Sequence, residues 1–292
     1  MGIILSFIAA IFWASSNIID KIVITHHIER PGQIMIIISG LYTVIGGGIL
    51  FFIQEPVRLT HMPILLACGA LWTLMGYTYF IAISREEISR VVPLFAFIPA
   101  FTAMLGAIFL HEIFAFTTYL GIAGLIFGTF LILSRGSLAS VFKNKSLSIM
   151  LLSSSSIAVY NILSKYVLDY YSYWTVFAWI TLFTALIGWI IFFPHIKGVR
   201  ENLKKGWDGT LLYVGSEIIA HFAALIYTAA IAVWYVTLAS SIITVQYLFL
   251  FLFTILLAKW KPNLVPELLN RKIAAQKIIA ILFIILGVVL IS

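Results

Sequence analysis

The sequence predicts an all-α integral membrane protein: ten transmembrane helices arranged as two inverted five-helix repeats. Three observations carry that expectation. Of the 292 residues, 62% are hydrophobic and only 10% are charged, and the mean hydropathy is +1.10. Soluble domains hold about 45–50% apolar and roughly 25% charged residues. The apolar residues fall into runs long enough to cross a bilayer, and the chain matches itself between its halves. A soluble enzyme, a nucleic-acid binder and a disordered regulator are excluded on composition. The formal charge of +7 does not point to a polyanion, because the basic residues stand at the edges of apolar runs, where lipid headgroups place them. Cys68 is the one cysteine, so no intramolecular disulfide forms.

A helix needs about 20 mostly apolar residues to cross a hydrocarbon core of roughly 30 Å. Spans 1–5 run near Ile3–Ile24, Gln33–Ile53, Met62–Ile83, Ser89–Leu110 and Thr117–Leu133. Spans 6–10 run near Leu147–Leu168, Tyr173–Phe193, Thr210–Val233, Thr237–Ala258 and Ala275–Ile291. Two connections are longer, Ser134–Ser146 and His195–Gly209. A third, Lys259–Ala274, contains Pro262 and Pro266 and has room for a short interfacial helix. The amino terminus lacks a basic n-region and a small-residue cleavage site, so it reads as the first retained helix. Its Met-Gly-Ile-Ile-Leu-Ser start fits the myristoylation pattern only by coincidence, since Gly2 opens a span.

The internal match has three parts. Asn17-Ile18-Ile19-Asp20-Lys21 aligns with Asn161-Ile162-Leu163-Ser164-Lys165, and Ile49-Leu50-Phe51-Phe52 with Ile190-Ile191-Phe192-Phe193. Tyr79-Phe80-Ile81-Ala82-Ile83 aligns with Tyr227-Thr228-Ala229-Ala230-Ile231. The division is residues 1–135 and 147–292, joined by 136–146. An odd number of spans per repeat turns the halves upside down relative to one another, the recurring plan of secondary transporters, with the substrate site near the midplane. All but two of the 18 Lys and Arg, Arg58 and Lys165, fall in the odd-numbered connections or beside them. The positive-inside rule then puts those connections in the cytoplasm and both termini outside.

These residues resemble the drug/metabolite transporter superfamily, specifically its ten-helix EamA-like branch. Phe12-Trp13-Ala14-Ser15-Ser16-Asn17 followed by Lys21 is similar to that branch's Trp-small-small-Asn stretch and helix-end Lys. The fuller match runs from Tyr79 to Leu133 through Ala82, Ser89, Pro93, Pro99, Leu105, His111-Glu112 and the glycines Gly121, Gly124 and Gly128. The chain departs from the pattern in four places. His111 stands where the family usually has Gly. Span 9 has no proline, with Gln246-Tyr247 opposite Ile98-Pro99. The second-half counterpart of Glu112, Glu267, is displaced by an insertion. Many relatives keep both termini in the cytoplasm.

Ionisable groups within a membrane are costly and mark solute or proton pathways. Glu217 and His221 lie four apart on one face of span 8, about 10 and 16 Å into the membrane at ~1.5 Å per residue. They are the expected proton-coupling pair or amine receptor; the plainer reading is a Glu–His hydrogen bond that ties span 8 to a neighbour. No other acid reads as deep. Trp13, Asn17 and Lys21 form a stripe on span 1, and Asn161 and Lys165 the related pair on span 6. The asparagines are expected to face a cavity. The lysines serve as entrance charges or snorkel to headgroups. Pro93 and Pro99 are gating kinks or static curvature. Trp72, Tyr79, Tyr160, Gln246 and Tyr247 complete an amphipathic cavity, Tyr77 being a further candidate. Gly46-Gly47-Gly48 and Gly121, Gly124 and Gly128 read as helix contacts, and Arg85, Glu86, Glu87 and Arg90 as a solvated ion cluster. No phosphate-binding loop, metal-ligand spacing or recognisable nucleophile triad is present, so no cofactor and no metal are expected.

The expected function is a secondary active transporter in the cytoplasmic (inner) membrane. It carries a small polar or amphipathic metabolite by alternating access, with proton coupling. The resemblance implies an amino acid or related compound, with export favoured. The partners are a small-molecule substrate, the lipid bilayer and protons, with no nucleic acid and a monomer favoured. The alternatives are a facilitative uniporter or exchanger, and a membrane-embedded enzyme acting on a lipid-linked substrate.

Overall fold

Apolar runs and short polar connections give helices and nothing else among the described residues of this computed structural model, which are 1–26, 30–85, 91–133, 146–205, 207–260 and 271–291. The first half forms α1 (Gly2–His26), α2 (Pro31–Phe52), α3 (Met62–Arg85), a 3-10 turn (Val92–Ala96), α4 (Phe97–Phe109) and α5 (Phe116–Leu133). The second half forms α6 (Leu147–Leu168), α7 (Tyr173–Phe192), a 3-10 turn (Phe193–His195), α8 (Ile196–Lys205), α9 (Asp208–Val233), α10 (Val236–Ile243), α11 (Gln246–Trp260) and α12 (Arg271–Ile291).

Among the described residues, seven stretches are long and apolar enough to cross a membrane. Leu94–Phe109, Phe116–Leu131 and Ile278–Ile291 are shorter apolar helices. Large apolar side chains such as Phe51, Ile190, Leu286 and Val289 stand exposed on the outer surface. Water penalises such a surface and a hydrocarbon solvent does not. The protein is a multi-pass membrane protein.

Helix partners come mostly from opposite halves. α1 packs along α9, α2 along α7, α3 along α6 and α7, and α5 along α12; α4 packs on α6 and α10, and α1 also on α10 and α11. The α5–α12 contact is close because Gly121, Gly128 and Gly287 carry no side chain. A Cβ on Gly128 would come within 2.8 Å of the Ala280 carbonyl, and one on Gly121 within 2.9 Å of the Gly287 carbonyl. Gly46 likewise lies against Ala178 and Leu182 of α7, whereas Gly47 and Gly48 face open space.

Two spans are broken. In span 4 the chain runs as a 3-10 turn to Ala96 before α4 begins, with Pro93 in the first turn of one and Pro99 in the first turn of the other. At such positions the missing N–H deprives no carbonyl of a helix bond. Span 9 breaks between α10 and α11 without any proline. There Ser240, Ser241 and Thr244 hydroxyls donate to the carbonyls of Thr237, Thr237 and Ser241 at 3.0, 2.8 and 2.7 Å. Back-bonding of this kind bends helices, and the Val245 N–H closes a tight turn on Ile242. An amphipathic helix, α8, occupies the connection after span 7, its Ile196, Val199 and Leu203 turned inward and Lys197, Arg200 and Lys204 outward. The interfacial helix expected between Lys259 and Ala274 falls largely outside the described residues, as do Glu267, Pro262, Pro266 and the Glu86, Glu87 and Arg90 cluster.

Candidate functional site

Four residues of α1, Trp13, Ser16, Asn17 and Asp20, share the face that three- and four-residue spacing creates and line one wall of a central cavity. The cavity gives about 190 Å³ to the centres of water-sized molecules, room on the order of a dozen waters. α2 adds Met35 and Tyr42, α3 adds Trp72 and Tyr79, and the break of span 4 adds Phe95 and Pro99. Asn161 comes from α6, Glu217 and Tyr227 from α9, and Ser240, Thr244, Gln246 and Tyr247 from the break of span 9. Trp13, Asn17, Trp72, Tyr79, Pro99, Asn161, Glu217, Gln246 and Tyr247, all singled out in the sequence, therefore meet around one space.

Others of the sequence candidates lie elsewhere. Tyr160 and His221 border a separate void of about 10 Å³ behind Tyr42 and Trp72. Lys165 Nζ donates to the Ile231 carbonyl at 2.8 Å, in the last turns of α9, where a cation complements the helix dipole. The side chains of Lys21 and Pro93 lie outside the described residues.

Glu217 is buried and takes two tyrosine hydroxyls. Tyr42 donates to Oε1 at 2.5 Å and Tyr213 to Oε2 at 3.2 Å. Among the described hydrogen bonds none joins Glu217 to His221; Tyr42 lies between them and touches each in a different way. The Tyr42 ring packs on the His221 imidazole at 4.1 Å while its hydroxyl holds Glu217. His221 Nε2 lies 3.1 Å from Thr181 Oγ1, whose proton goes to the Phe177 carbonyl. The imidazole therefore donates through Nε2, and its buried Nδ1 has no partner.

Asp20 corrects the expectation that no other acid lies as deep as Glu217. It is buried at 6% exposure and lines the same cavity. Ser216 donates to its Oδ1 at 2.6 Å, and Ser16 Oγ lies 3.1 Å from Ser216 Oγ. Ser216 and Glu217, adjacent on α9, thus engage α1 and α2 respectively. The sequence signal was there: Asp20 completes the Ser16–Asn17–Asp20 face. It stands beside Lys21 near the end of span 1, where charges are ordinarily solvated.

The two asparagines behave alike. Asn17 Nδ2 donates to Gln246 Oε1 at 3.4 Å, and Asn161 Nδ2 to Thr102 Oγ1 at 3.3 Å. Each joins its helix to a broken span. Asn161 Oδ1, Tyr79 OH and Tyr227 OH are buried without partners.

One end of the bundle is tied across the halves. Glu112, after α4, accepts the Val236 and Thr237 N–H groups at 2.9 and 3.0 Å, holding the first turn of α10. His111 before it has φ 54°, a left-handed backbone that favours glycine. Glu55 accepts the Ser172 N–H and the hydroxyls of Ser172 and Thr175. Burial raises the Glu55 carboxyl, but the Ser172 and Thr175 hydrogen bonds outweigh it and hold it below the ordinary 4.5. His61 Nδ1 meets Tyr171 OH at 2.9 Å.

Residues 1–134 match the model of the EamA-like transporter family. That stretch of the chain is thus similar to EamA-like transporters. None of the curated proteins matches in sequence. Among solved structures, a crystal structure described only as that of a protein aligns with a TM-score of 0.70 at 15% identity. The alignment covers 99% of this chain and 96% of that one, so the likeness in fold extends over both halves.

Proposed function

We propose that the protein is a secondary transporter that moves a small polar or amphipathic metabolite across the cytoplasmic membrane by alternating access. The observation that carries this is the central cavity, a hollow whose mostly apolar wall carries polar groups, Glu217 and Asp20 among them. Ten spans in two inverted five-helix repeats, residues 1–135 and 147–292, are part of the reading. Exchange of halves maps span 1 on 6, 2 on 7, 3 on 8, 4 on 9 and 5 on 10. It turns the α1–α9 contact into α6–α3, and the α4–α6 contact into that of α10 and α11 with α1, which is the packing observed. The two broken spans correspond under the same exchange, and both border the cavity, as in transporters built on discontinuous helices. The three shorter apolar helices complete the ten spans.

The tied end carries few basic residues, so the charge rule makes it the outer face, with both termini outside. The ties of Glu55, Glu112 and Tyr171 then close the cavity toward that face and break when the halves rock. Glu217 is the coupling residue, with His221 behind it through Tyr42, and the breaks near Pro93 and Pro99 act in gating. Lys165 acts by holding the end of α9. One observation favours a facilitative carrier instead: both Glu217 oxygens are already held by tyrosines.

The test uses proteoliposomes and the compound giving the largest thermal shift from a metabolite panel, since a ligand of the native state raises apparent stability. An imposed pH gradient drives its flux, and Glu217→Gln abolishes that dependence while leaving exchange. Gradient dependence that survives the substitution overturns the coupling. Absence of flux for every stabilising compound overturns transport.

A further inference from the structure

The cavity wall has an uneven chemistry. It carries two carboxylates, Asp20 and Glu217, and no Lys, Arg or His among the described residues that line it. Uncompensated negative charge in a membrane interior is costly, so a cation or protons must balance it. The unpartnered polar atoms add a second, independent sign. Asn161, 1% exposed, has its amide N–H on Thr102, and its bare Oδ1 can only accept. It calls for a donor from the occupant. Tyr79 and Tyr227 OH, also buried without partners, serve as acceptors or donors.

A free amino acid would need a receptor for its own carboxylate, and the described lining residues supply no cation for it. Half-helix N-termini could otherwise serve, because first-turn N–H groups bind anions. Here several of those N–H groups are already engaged in the broken spans. The Phe97 N–H at the start of α4 closes on the Leu94 and Phe95 carbonyls, and Pro99 has none. At α11 the Tyr247 N–H closes on Thr244, and those of Leu248 and Phe249 on Val245. What the wall does offer is aromatic surface. Trp13 packs on Tyr227 with ring centroids 5.6 Å apart, and Tyr79 on Phe95 at 5.4 Å. Such rings accept apolar bodies and attract cations through their faces.

We infer that the cavity selects amphipathic organic cations, amines without a carboxylate, with the ammonium N–H groups on Asp20, Glu217 and Asn161 Oδ1 and the apolar body on Trp13, Tyr79 and Tyr227. This rests on the reading of the cavity as the transported solute's site, and it narrows the substrate class away from free amino acids.

The experiment compares four probes of one shape and different charge on the purified full-length protein: 2-phenylethylamine, L-phenylalanine, 3-phenylpropionate and 2-phenylethanol. Affinity is read by titration in nanodiscs and flux in proteoliposomes. The amine is expected to bind at least about tenfold more tightly than each of the other three, a difference of roughly 1.4 kcal/mol. Asp20→Asn should remove most of that preference without weakening 2-phenylethanol. Equal or tighter binding of phenylalanine or phenylpropionate overturns the inference, as does an amine preference that survives both Asp20→Asn and Glu217→Gln. The wild-type series decides even where a variant fails to fold. Flux of phenylalanine without flux of the amine sinks the cation site and leaves transport standing. Tight amine binding without flux supports the cation site and counts against transport.

Discussion

Glu112 offers the sharpest test of how the halves are held together. Its two carboxylate oxygens each accept one backbone N–H at the start of α10, at 2.9 and 3.0 Å, and the side chain is 4% exposed. Removing a buried acceptor leaves its donor unsatisfied at about 1–3 kcal/mol each, so Glu112→Ala, which strands both, costs about 2–6 kcal/mol. Loss of the negative charge beside the α10 N-terminus adds about 0.3–1 kcal/mol. Glu112→Gln keeps one acceptor oxygen and sets an NH2 against the other N–H, so its cost falls at roughly half. Thermal unfolding in nanodiscs at fixed protein and lipid concentration reads the order: wild type above Gln, Gln above Ala. Equal melting of wild type and the Ala variant would refute the reasoning, because two stranded N–H groups cannot be free of penalty in a dry site. A Gln variant as unstable as Ala would show that charge, not hydrogen-bond geometry, does the holding.

The remaining predictions concern backbone strain, packing and pH. His111→Gly relieves a left-handed cost of about 1–2 kcal/mol against about 0.5–1 kcal/mol of added chain entropy, so the melting temperature is expected to rise slightly; a clear fall refutes the strain. Gly128→Leu drives a side chain toward the Ala280 carbonyl and Ile284 of α12. It should destabilise by about 1–3 kcal/mol, whereas Gly47→Leu, facing open space, should be nearly neutral in the same melt. Glu55 has a depressed carboxyl, so its contribution is full above the ordinary 4.5 and is lost as pH falls through the lower folded value. Ser172→Ala should shrink that acid-side loss, by less than about 1 kcal/mol because the group is half-buried and still screened by solvent. Melting scanned from pH 6 to 3 checks it, and unchanged acid sensitivity would count against the tie.

Local signals were readable in proportion to how local their causes are. Hydrophobic run length fixed where the helices fall, because a bilayer core demands it of each helix separately. The Trp13–Asn17 stripe and Asn161 pointed at the cavity, because a polar residue in an apolar run must find a polar neighbour. Asp20 escaped notice through its position beside Lys21, and Tyr227 because one aromatic among many carries no mark. The Tyr42 and Tyr213 clamp on Glu217 was not legible at all for Tyr42, which lies far away in sequence. Span 9 looked continuous without a proline, yet Ser240-Ser241 and Thr244 held the cause of its break in plain view. α8 was missed because its charges masked an apolar face of only Ile196, Val199 and Leu203.

Partner choice between the halves has a consequence for synthesis. α1, α2 and α3 find their main neighbours in α9, α7 and α6, and α5 finds its own in α12. During translation the early helices therefore enter the bilayer as orphans, with Asn17 and Asp20 turned toward lipid or toward one another. They wait until the ribosome has delivered the later ones. Long-range pairing of this kind slows assembly and exposes intermediates. A nascent chain stalled before α9 would hold Asp20 without Ser216, and such an unfinished product is what membrane quality-control proteases should remove first.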